Sequence, residues 1–208
     1  MTVTPSDNNY YSPVSRAESF TKGDFYSVLS PLEAVAVVSD VNQARDYRDR
    51  HLSYDYNQRF TPTRDGRINP FVKTHKSGVG VCGEFAVAFA SLLKDDGYPS
   101  LVMGLIEDGL PERGGSYNYH WVFVYQENGL WGSLGTGSSD TFSAIFSSQE
   151  ILARMIRRRC SENSEDGSFT NWGVFSLDDY SINFISPDSP KDLRAFVKVL
   201  PPMPNSFD

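Results

Sequence analysis

The chain has 208 residues, 39% of them hydrophobic and 13% aromatic, and this composition is typical of a folded domain rather than of a disordered chain. Its formal net charge of −7 argues against a general nucleic-acid binder, because such a protein needs a basic surface to offset phosphates. Its two cysteines are too few for the disulfide framework of a small secreted protein, so we expect both to remain reduced thiols.

The two ends of the chain are predicted to lie outside a single folded domain. Residues 1–25 are rich in Ser, Thr, Asn, Tyr and Pro without periodicity, which favours an extended arm, and residues 201–208 are predicted to form a flexible tail. The start lacks the basic residues and apolar core of a secretory signal, and no run approaches the ~20 apolar residues that cross a bilayer. We therefore expect a cytoplasmic protein without membrane contact, built as one domain over residues 26–200.

Two long helices are predicted in the first half of the domain. The first runs from Ser30 through His51: Ser30 and Glu33 form a capping-box pattern, and apolar residues recur at helical spacing for about four turns or more. The second begins near Cys82 and ends at Gly97, which is a typical helix stop.

Strands dominate the second half. Residues 100–107 and 119–126 are predicted strands, and Asn128-Gly129 then predicts a two-residue hairpin turn that pairs Tyr125 with Gly132. In the strand 119–126, strict alternation places His120 on one face and Trp121 on the other. A further helix is predicted over 147–160, and late strands over 172–185 and 193–200. The order indicates an α+β fold with a mostly antiparallel sheet.

Cys82 and His120 are the candidates for nucleophilic chemistry. A cysteine at a helix start lies where unpaired backbone N–H groups and the positive end of the helix dipole favour a thiolate. A thiol nucleophile also needs a base within hydrogen-bonding reach, and His120 opens a strand after a glycine-rich loop that could form a cleft wall. The alternative is that both residues only pack, Cys82 in the core and His120 at a strand end.

Four other features have a structural interpretation beside a functional one. Glu84 in the first helical turn favours the dipole or lines the cleft, and His75 is either a solvated loop residue or an oxyanion donor. The arginines of 154–159 suit a helix end, or else form a patch for an acidic partner. Cys160 is expected to have no catalytic role, since no histidine follows it. The cysteines and histidines lack metal-ligand spacing, so no metal or other cofactor is predicted.

The segment "GVCGEFAVAFASLLKDDGYPSLVMG" resembles the nucleophile helix of the transglutaminase-like superfamily. The pattern is a glycine, any residue and a cysteine, followed by an apolar helix, a Gly-x-Pro stop and a strand. The positions that fit it are Gly80, Cys82, Ala86, Leu92, Leu93, Gly97, Tyr98 and Pro99. "HWVFVYQENGLWGSLGT" resembles the family's histidine strand and hairpin, and "HLSYDYN" its upstream aromatic segment. The resemblance covers about residues 30 to 137 and implies a papain-like packing of the nucleophile helix on an antiparallel sheet.

The resemblance implies a Cys-His-Asp triad, but the third position departs from the family pattern. The acid is expected four residues after the hairpin tryptophan, and that position is Gly135. Asp140 follows five residues later and could fold back to the histidine. Ser133 or Thr136 could instead orient the imidazole by a neutral hydrogen bond, and a Cys-His dyad is also possible.

The function expected from these residues is that of a cysteine-dependent hydrolase or acyltransferase acting on amide or isopeptide bonds of a peptide or protein through a thioester. Cys82 would be the nucleophile, His120 the base and acid, and Asp140, Ser133 or Thr136 the third member. One alternative is a catalytically inactive binding module on the same fold, motivated by Gly135. The other is an unrelated α+β structural or interaction protein in which Cys82 and His120 only pack.

Overall fold

The computed structural model describes residues 24–56, 67–106, 119–163, 169–177 and 191–192. The helices in these ranges are α1 Asp24–Ser27, α2 Pro31–Val37, α3 Val41–His51, α4 Phe71–Ser77, α5 Cys82–Leu93 and α6 Gln149–Asn163. The strands are β1 Ser53–Tyr54, β2 Arg67–Ile68, β3 Val79–Gly80, β4 Leu101–Ile106, β5 Tyr119–Glu127, β6 Leu130–Leu134, β7 Phe142–Phe146, β8 Asn171–Ser176 and β9 Lys191–Asp192. The chain therefore has the predicted α+β class.

The prediction of one continuous helix from Ser30 to His51 is wrong, because the chain breaks into α2 and α3. The predicted capping box at Ser30 and Glu33 is present and starts α2. Val38 then adopts an extended conformation, and the Asp40 carboxylate accepts hydrogen bonds from the next helix's first-turn N–H groups at 2.8 and 2.9 Å. An aspartate that caps a new helix outcompetes the apolar periodicity that runs across the break.

The central sheet has the strand order β7-β6-β5-β4-β8, and all of its pairings are antiparallel. The predicted hairpin is confirmed: Tyr125 pairs with Gly132, and Asn128 and Gly129 both have positive φ, at 51° and 79°. Two consecutive left-handed residues are what the tight hairpin turn requires. This hairpin determines which residues of β6 stand beside β5.

Helices cover both faces of the sheet. On one face Trp121, Phe123 and Tyr125 pack with α5, whose residues are all buried. On the other face the intervening residues of β5 pack with α6, chiefly through Leu152 and Ile156. The predicted alternation along β5 is therefore confirmed, and it places the His120 side chain on the sheet face that α6 covers.

Some predicted segments differ from the structure or lie outside the described residues. The strand predicted over 172–185 is described only as β8, while α4 and β7 were not predicted. The predicted arm 1–25 lies outside the described residues up to position 23, and its last two residues belong to the helix α1 instead. The loop 107–118, the strand 193–200 and the tail 201–208 also lie outside the described residues, so the domain limits stay a prediction. Among the helices described here, none combines the length and apolarity that a membrane crossing requires.

Candidate active site

Cys82 occupies the first position of α5. The preceding helix α4 ends at Gly78, whose φ of 64° turns the chain into β3 and brings it to the start of α5. The Cys82 Sγ lies 3.7 Å from the carbonyl oxygen of Tyr119, at the beginning of β5. The residue is buried, with 9% of its surface exposed, and it belongs to the core cluster that contains α5. The first N–H groups of a helix lack intrahelical acceptors and face outward, which suits a thiolate or an oxyanion here.

Glu84 fixes the start of α5. Its side chain is fully buried and accepts hydrogen bonds from the backbone N–H of Val81 at 2.9 Å and of Asn69 at 3.1 Å. Of the two interpretations drawn from the sequence, capping of the helix start is the one that fits, because a fully buried carboxylate cannot line an open cleft. The carboxylate ties the residue before Cys82 to the segment that leads into α4.

The imidazole of His120 contacts the carboxylate of Asp140. The Nε2 to Oδ2 distance is 3.0 Å, and the two side chains are 15% and 1% exposed. The N–H direction is not aligned on the oxygen as in a good hydrogen bond, so the contact is chiefly electrostatic. The ring of Phe169 stacks on the imidazole at 6.1 Å between centroids. The described residues therefore bring together the predicted base and one of its three predicted partners.

Ser133 and Thr136, the other two candidates for the third position, hold Asp140. The Thr136 backbone N–H and hydroxyl donate to Asp140 Oδ2 at 2.8 and 3.1 Å, and the Gly137 N–H donates to Oδ1 at 2.8 Å. The Ser133 hydroxyl donates to the Asp140 carbonyl at 2.8 Å. Each candidate thus has a place at the site, but the carboxylate is the group that contacts the imidazole.

Gly135 leaves the space that Asp140 fills. A Cβ atom built on Gly135 would lie 2.1 Å from Asp140 Cγ and 2.2 Å from Oδ2, far inside van der Waals contact. The carboxylate therefore occupies the volume that a side chain at position 135 would otherwise take. The family pattern places the acid at position 135. Here the turn 135–141 brings the carboxylate of Asp140 into the space that a side chain at position 135 would occupy.

Charge stabilises the protonated imidazole. Burial lowers the pKa of His120, but the Asp140 contact, the Cys160 and Cys82 thiols and the Asp140 charge outweigh it, and the pKa ends well above its ordinary value. Burial raises the pKa of Asp140, whereas the His120 contact, its charge and the Gly137 and Thr136 N–H groups bring the net pKa below its ordinary value. The pair therefore favours imidazolium beside carboxylate.

Cys160, for which the sequence predicts no catalytic role, lies beside the imidazole. Its thiol and that of Cys82 are both close enough to the imidazole to raise its pKa. A signal was present in the sequence: Cys160 continues the four-residue spacing of Leu152 and Ile156, which are buried against the His120 face of the sheet. Neither cysteine forms a disulfide.

Half of the chain, residues 32–135, matches a family model described as Transglutaminase-like superfamily. The chain belongs to the transglutaminase-like superfamily. The resemblance deduced from the nucleophile helix and the histidine strand is thereby confirmed, together with the fold class. The matched region ends at Gly135, so Asp140 lies beyond it. No curated protein matches the chain.

The remaining candidates have structural partners in this transglutaminase-like domain. His75 is buried, and its ring bonds the Tyr47 hydroxyl at 2.9 Å and the Leu29 carbonyl at 2.8 Å, which leaves it no free donor for an oxyanion. The arginines of α6 make local contacts, including ion pairs from Arg154 and Arg158 to glutamates one turn away. Within the described ranges, no group of three or more His, Cys, Asp or Glu side chains is arranged to hold a metal ion.

Proposed function

We propose that this protein is a cysteine-dependent hydrolase or acyltransferase that acts on amide or isopeptide bonds of a peptide or protein. Cys82 is the nucleophile, His120 is the general base and acid, and Asp140 orients and stabilises the imidazolium. The observation that carries the proposal is the 3.0 Å contact between the His120 imidazole and the Asp140 carboxylate, at a point where the Cys82 thiol is near enough to raise the pKa of the imidazole. This is the arrangement that acyl transfer by a thiol requires.

The chemistry starts from a thiolate beside an imidazolium. The Cys82 sulfur attacks the amide carbon, a C–S bond forms, and the carbonyl electrons move to oxygen, near the first N–H groups of α5. His120 gives its proton to the amide nitrogen as the C–N bond breaks, and the amine leaves. Water or a second amine then attacks the thioester, His120 takes its proton, and the C–S bond breaks to restore the thiolate. Water gives hydrolysis, and an amine gives transamidation.

Acylation by p-nitrophenyl acetate tests the pair without knowledge of the natural substrate. We expect one acetyl group on Cys82 in peptide mass spectra, followed by turnover that releases nitrophenolate continuously. His120→Ala should slow both steps, because it removes the base and the imidazolium. His51→Gln is a matched control, since the His51 ring contacts Tyr47 and His75 instead.

Equal acetylation of Cys82 in wild type and His120→Ala would overturn the proposal, since the thiol would then react without the imidazole. A wild-type Cys82 that is inert to both p-nitrophenyl acetate and iodoacetamide would do the same. The catalytically inactive binding module was motivated by the missing acid at Gly135. The carboxylate that fills this space removes that motive, so the module has no observation in its favour.

A further inference from the structure

Arg48 is a buried cation inside α3, 87 positions before the turn that it contacts. The residue is 7% exposed. Its Nη1 donates to the Gly135 carbonyl at 2.9 Å, to the Thr141 hydroxyl at 2.7 Å and, more weakly, to the Gly137 carbonyl at 3.4 Å. Its Nε contacts the exposed carboxylate of Asp49 at 2.8 Å. A buried arginine is held by partners of this kind, because an uncompensated charge in the core is costly.

The three acceptors lie on both sides of Asp140 in the sequence. Gly135 and Gly137 precede it, and Thr141 follows it. Thr141 also closes the turn, because its hydroxyl accepts a hydrogen bond from the Gly135 N–H at 3.2 Å. Arg48 thus joins the beginning and the end of the segment whose middle carries the carboxylate. The Thr136 and Gly137 N–H groups bind the carboxylate itself, whereas the Gly135 and Gly137 carbonyls bind Arg48.

We propose that Arg48 is a positioning residue that acts on His120 through Asp140. The inference rests on the proposed function in one respect, that His120 serves as the base. Arg48 does not touch the imidazole; it holds the turn 135–141 in the shape that brings the carboxylate into the space left by Gly135. A strand-borne acid would need no such brace, since a sheet would fix its backbone. An acid delivered by a turn depends on what holds the turn.

A guanidinium holds its donor nitrogen at a more fixed position than an ammonium does. A guanidinium presents several N–H donors in one rigid plane and keeps its charge when buried. All three acceptors of the turn bond the single nitrogen Nη1, and the rigid guanidinium plane fixes that nitrogen through its second contact, Nε to Asp49. A lysine ammonium on its flexible stem would lack this second contact. Arg48→Lys should therefore restore little of what Arg48→Met removes. Arg50→Met is the matched control, because Arg50 lies on the same helix and pairs with Asp46.

The test combines the pH titration of the His120 ring, followed by NMR, with the rate of Cys82 acetylation. For Arg48→Met we expect the pKa of His120 to fall toward its ordinary value and acetylation to slow by up to about 100-fold, as for a catalytic group misplaced by ~1 Å. In an Asp140→Asn background the same substitution should change neither quantity further. Thr141→Val, which removes one acceptor of Arg48, should lower both the His120 pKa and the acetylation rate by a smaller amount. This variant tests the proposal if Arg48→Met fails to fold.

An unchanged His120 titration together with a lower melting temperature would overturn the proposal, because Arg48 would then support the fold only. Equal effects with and without the Asp140 carboxylate would also overturn it. The titration does not depend on turnover. If wild-type Cys82 proves inert, the proposed function fails, while the effect of Arg48 on His120 is still measured.

Discussion

Gly135→Ala should expel the Asp140 carboxylate from the imidazole although it adds only a methyl group. The new Cβ would lie 2.1 Å from Asp140 Cγ, so the carboxyl carbon must retreat by more than about 1 Å to reach ordinary contact. The 3.0 Å contact with His120 cannot survive such a shift together with the hydrogen bonds from Thr136 and Gly137. Gly137→Ala is the matched control, because a Cβ there meets nothing within 4 Å.

The size of the effect follows from two separate costs. Overpacking of a closely filled site costs about 1–3 kcal/mol. For a chain of this length, each kcal/mol lowers the melting temperature by about 2–4 °C. Loss of the carboxylate that orients a catalytic histidine costs up to about 10⁴-fold in rate in comparable triads. Gly135→Ala should therefore lower the melting temperature by several degrees. It should also slow the acetylation of Cys82 by a factor much larger than this loss of stability explains.

Circular dichroism gives the melting temperature, and p-nitrophenyl acetate with peptide mass spectrometry gives the acetylation rate. NMR titration of the His120 ring should show its pKa falling toward the ordinary value in Gly135→Ala and staying high in Gly137→Ala. If Gly135→Ala keeps the wild-type titration and rate, the carboxylate is not held in that space. If Gly137→Ala is equally impaired, the integrity of the turn matters rather than the position of the acid.

Three further outcomes are expected. Cys160→Ala should lower the pKa of His120 in an NMR titration, since the thiol raises it, while Cys82 remains the acetylated residue; acetylation at position 160 in wild type would contradict this assignment. The stability difference between wild type and Asp140→Asn should be largest between about pH 4 and 6.5, measured by urea unfolding. Above pH 6.5 the difference should decline, because the stability that the raised pKa of His120 contributes is complete below its unfolded pKa and is lost as pH rises through its folded pKa. Below pH 4 the difference should also decline, because the stability that the lowered pKa of Asp140 contributes is lost as pH falls through its folded pKa. Burial, with the nearby His75 charge, lowers the pKa of His51, although the hydrogen bond that its ring donates to the His75 carbonyl opposes this shift. Wild type should therefore lose stability as pH falls below about 6.5, and His51→Gln should flatten that decline.

Local patterns predict the elements that local chemistry determines. The hairpin at Asn128-Gly129 follows from two residues that tolerate positive φ, and α5 begins at Cys82 as expected. The break between α2 and α3 was missed because apolar residues continue at helical spacing across it, while the decisive group is the Asp40 side chain that caps the second helix. Periodicity reports which face is buried, and it does not report where the backbone changes direction.

The candidate site likewise contains residues that local sequence patterns predict and residues that they do not. Cys82 and His120 could be proposed from their own elements, a helix start and a strand start. Asp140 could be proposed only as one of three candidates beside Ser133 and Thr136, because the choice among them depends on the volume left empty at Gly135 and on hydrogen bonds across the turn. Arg48 shows a weaker signal: it falls on the buried stripe of α3 with Val41 and Ala44, where an arginine is out of place without a partner. Nothing in the sequence identifies that partner 87 positions away.

An imidazole requires a carboxylate at a given point in space, and the chain can supply it from more than one position in the sequence. When the acid stands on a strand, the sheet holds its backbone, and its position is as stable as the sheet. Here the acid stands beyond the hairpin, and its position is as stable as the turn 135–141, which the Arg48 guanidinium and the Thr141 hydroxyl hold together. The orientation of His120 should therefore be lost when the turn opens, before the sheet or α5 unfolds. Hydrogen exchange offers a direct check: the Thr136 and Gly137 amides should exchange sooner than those of β5, and the Arg48 substitution should accelerate the turn amides selectively.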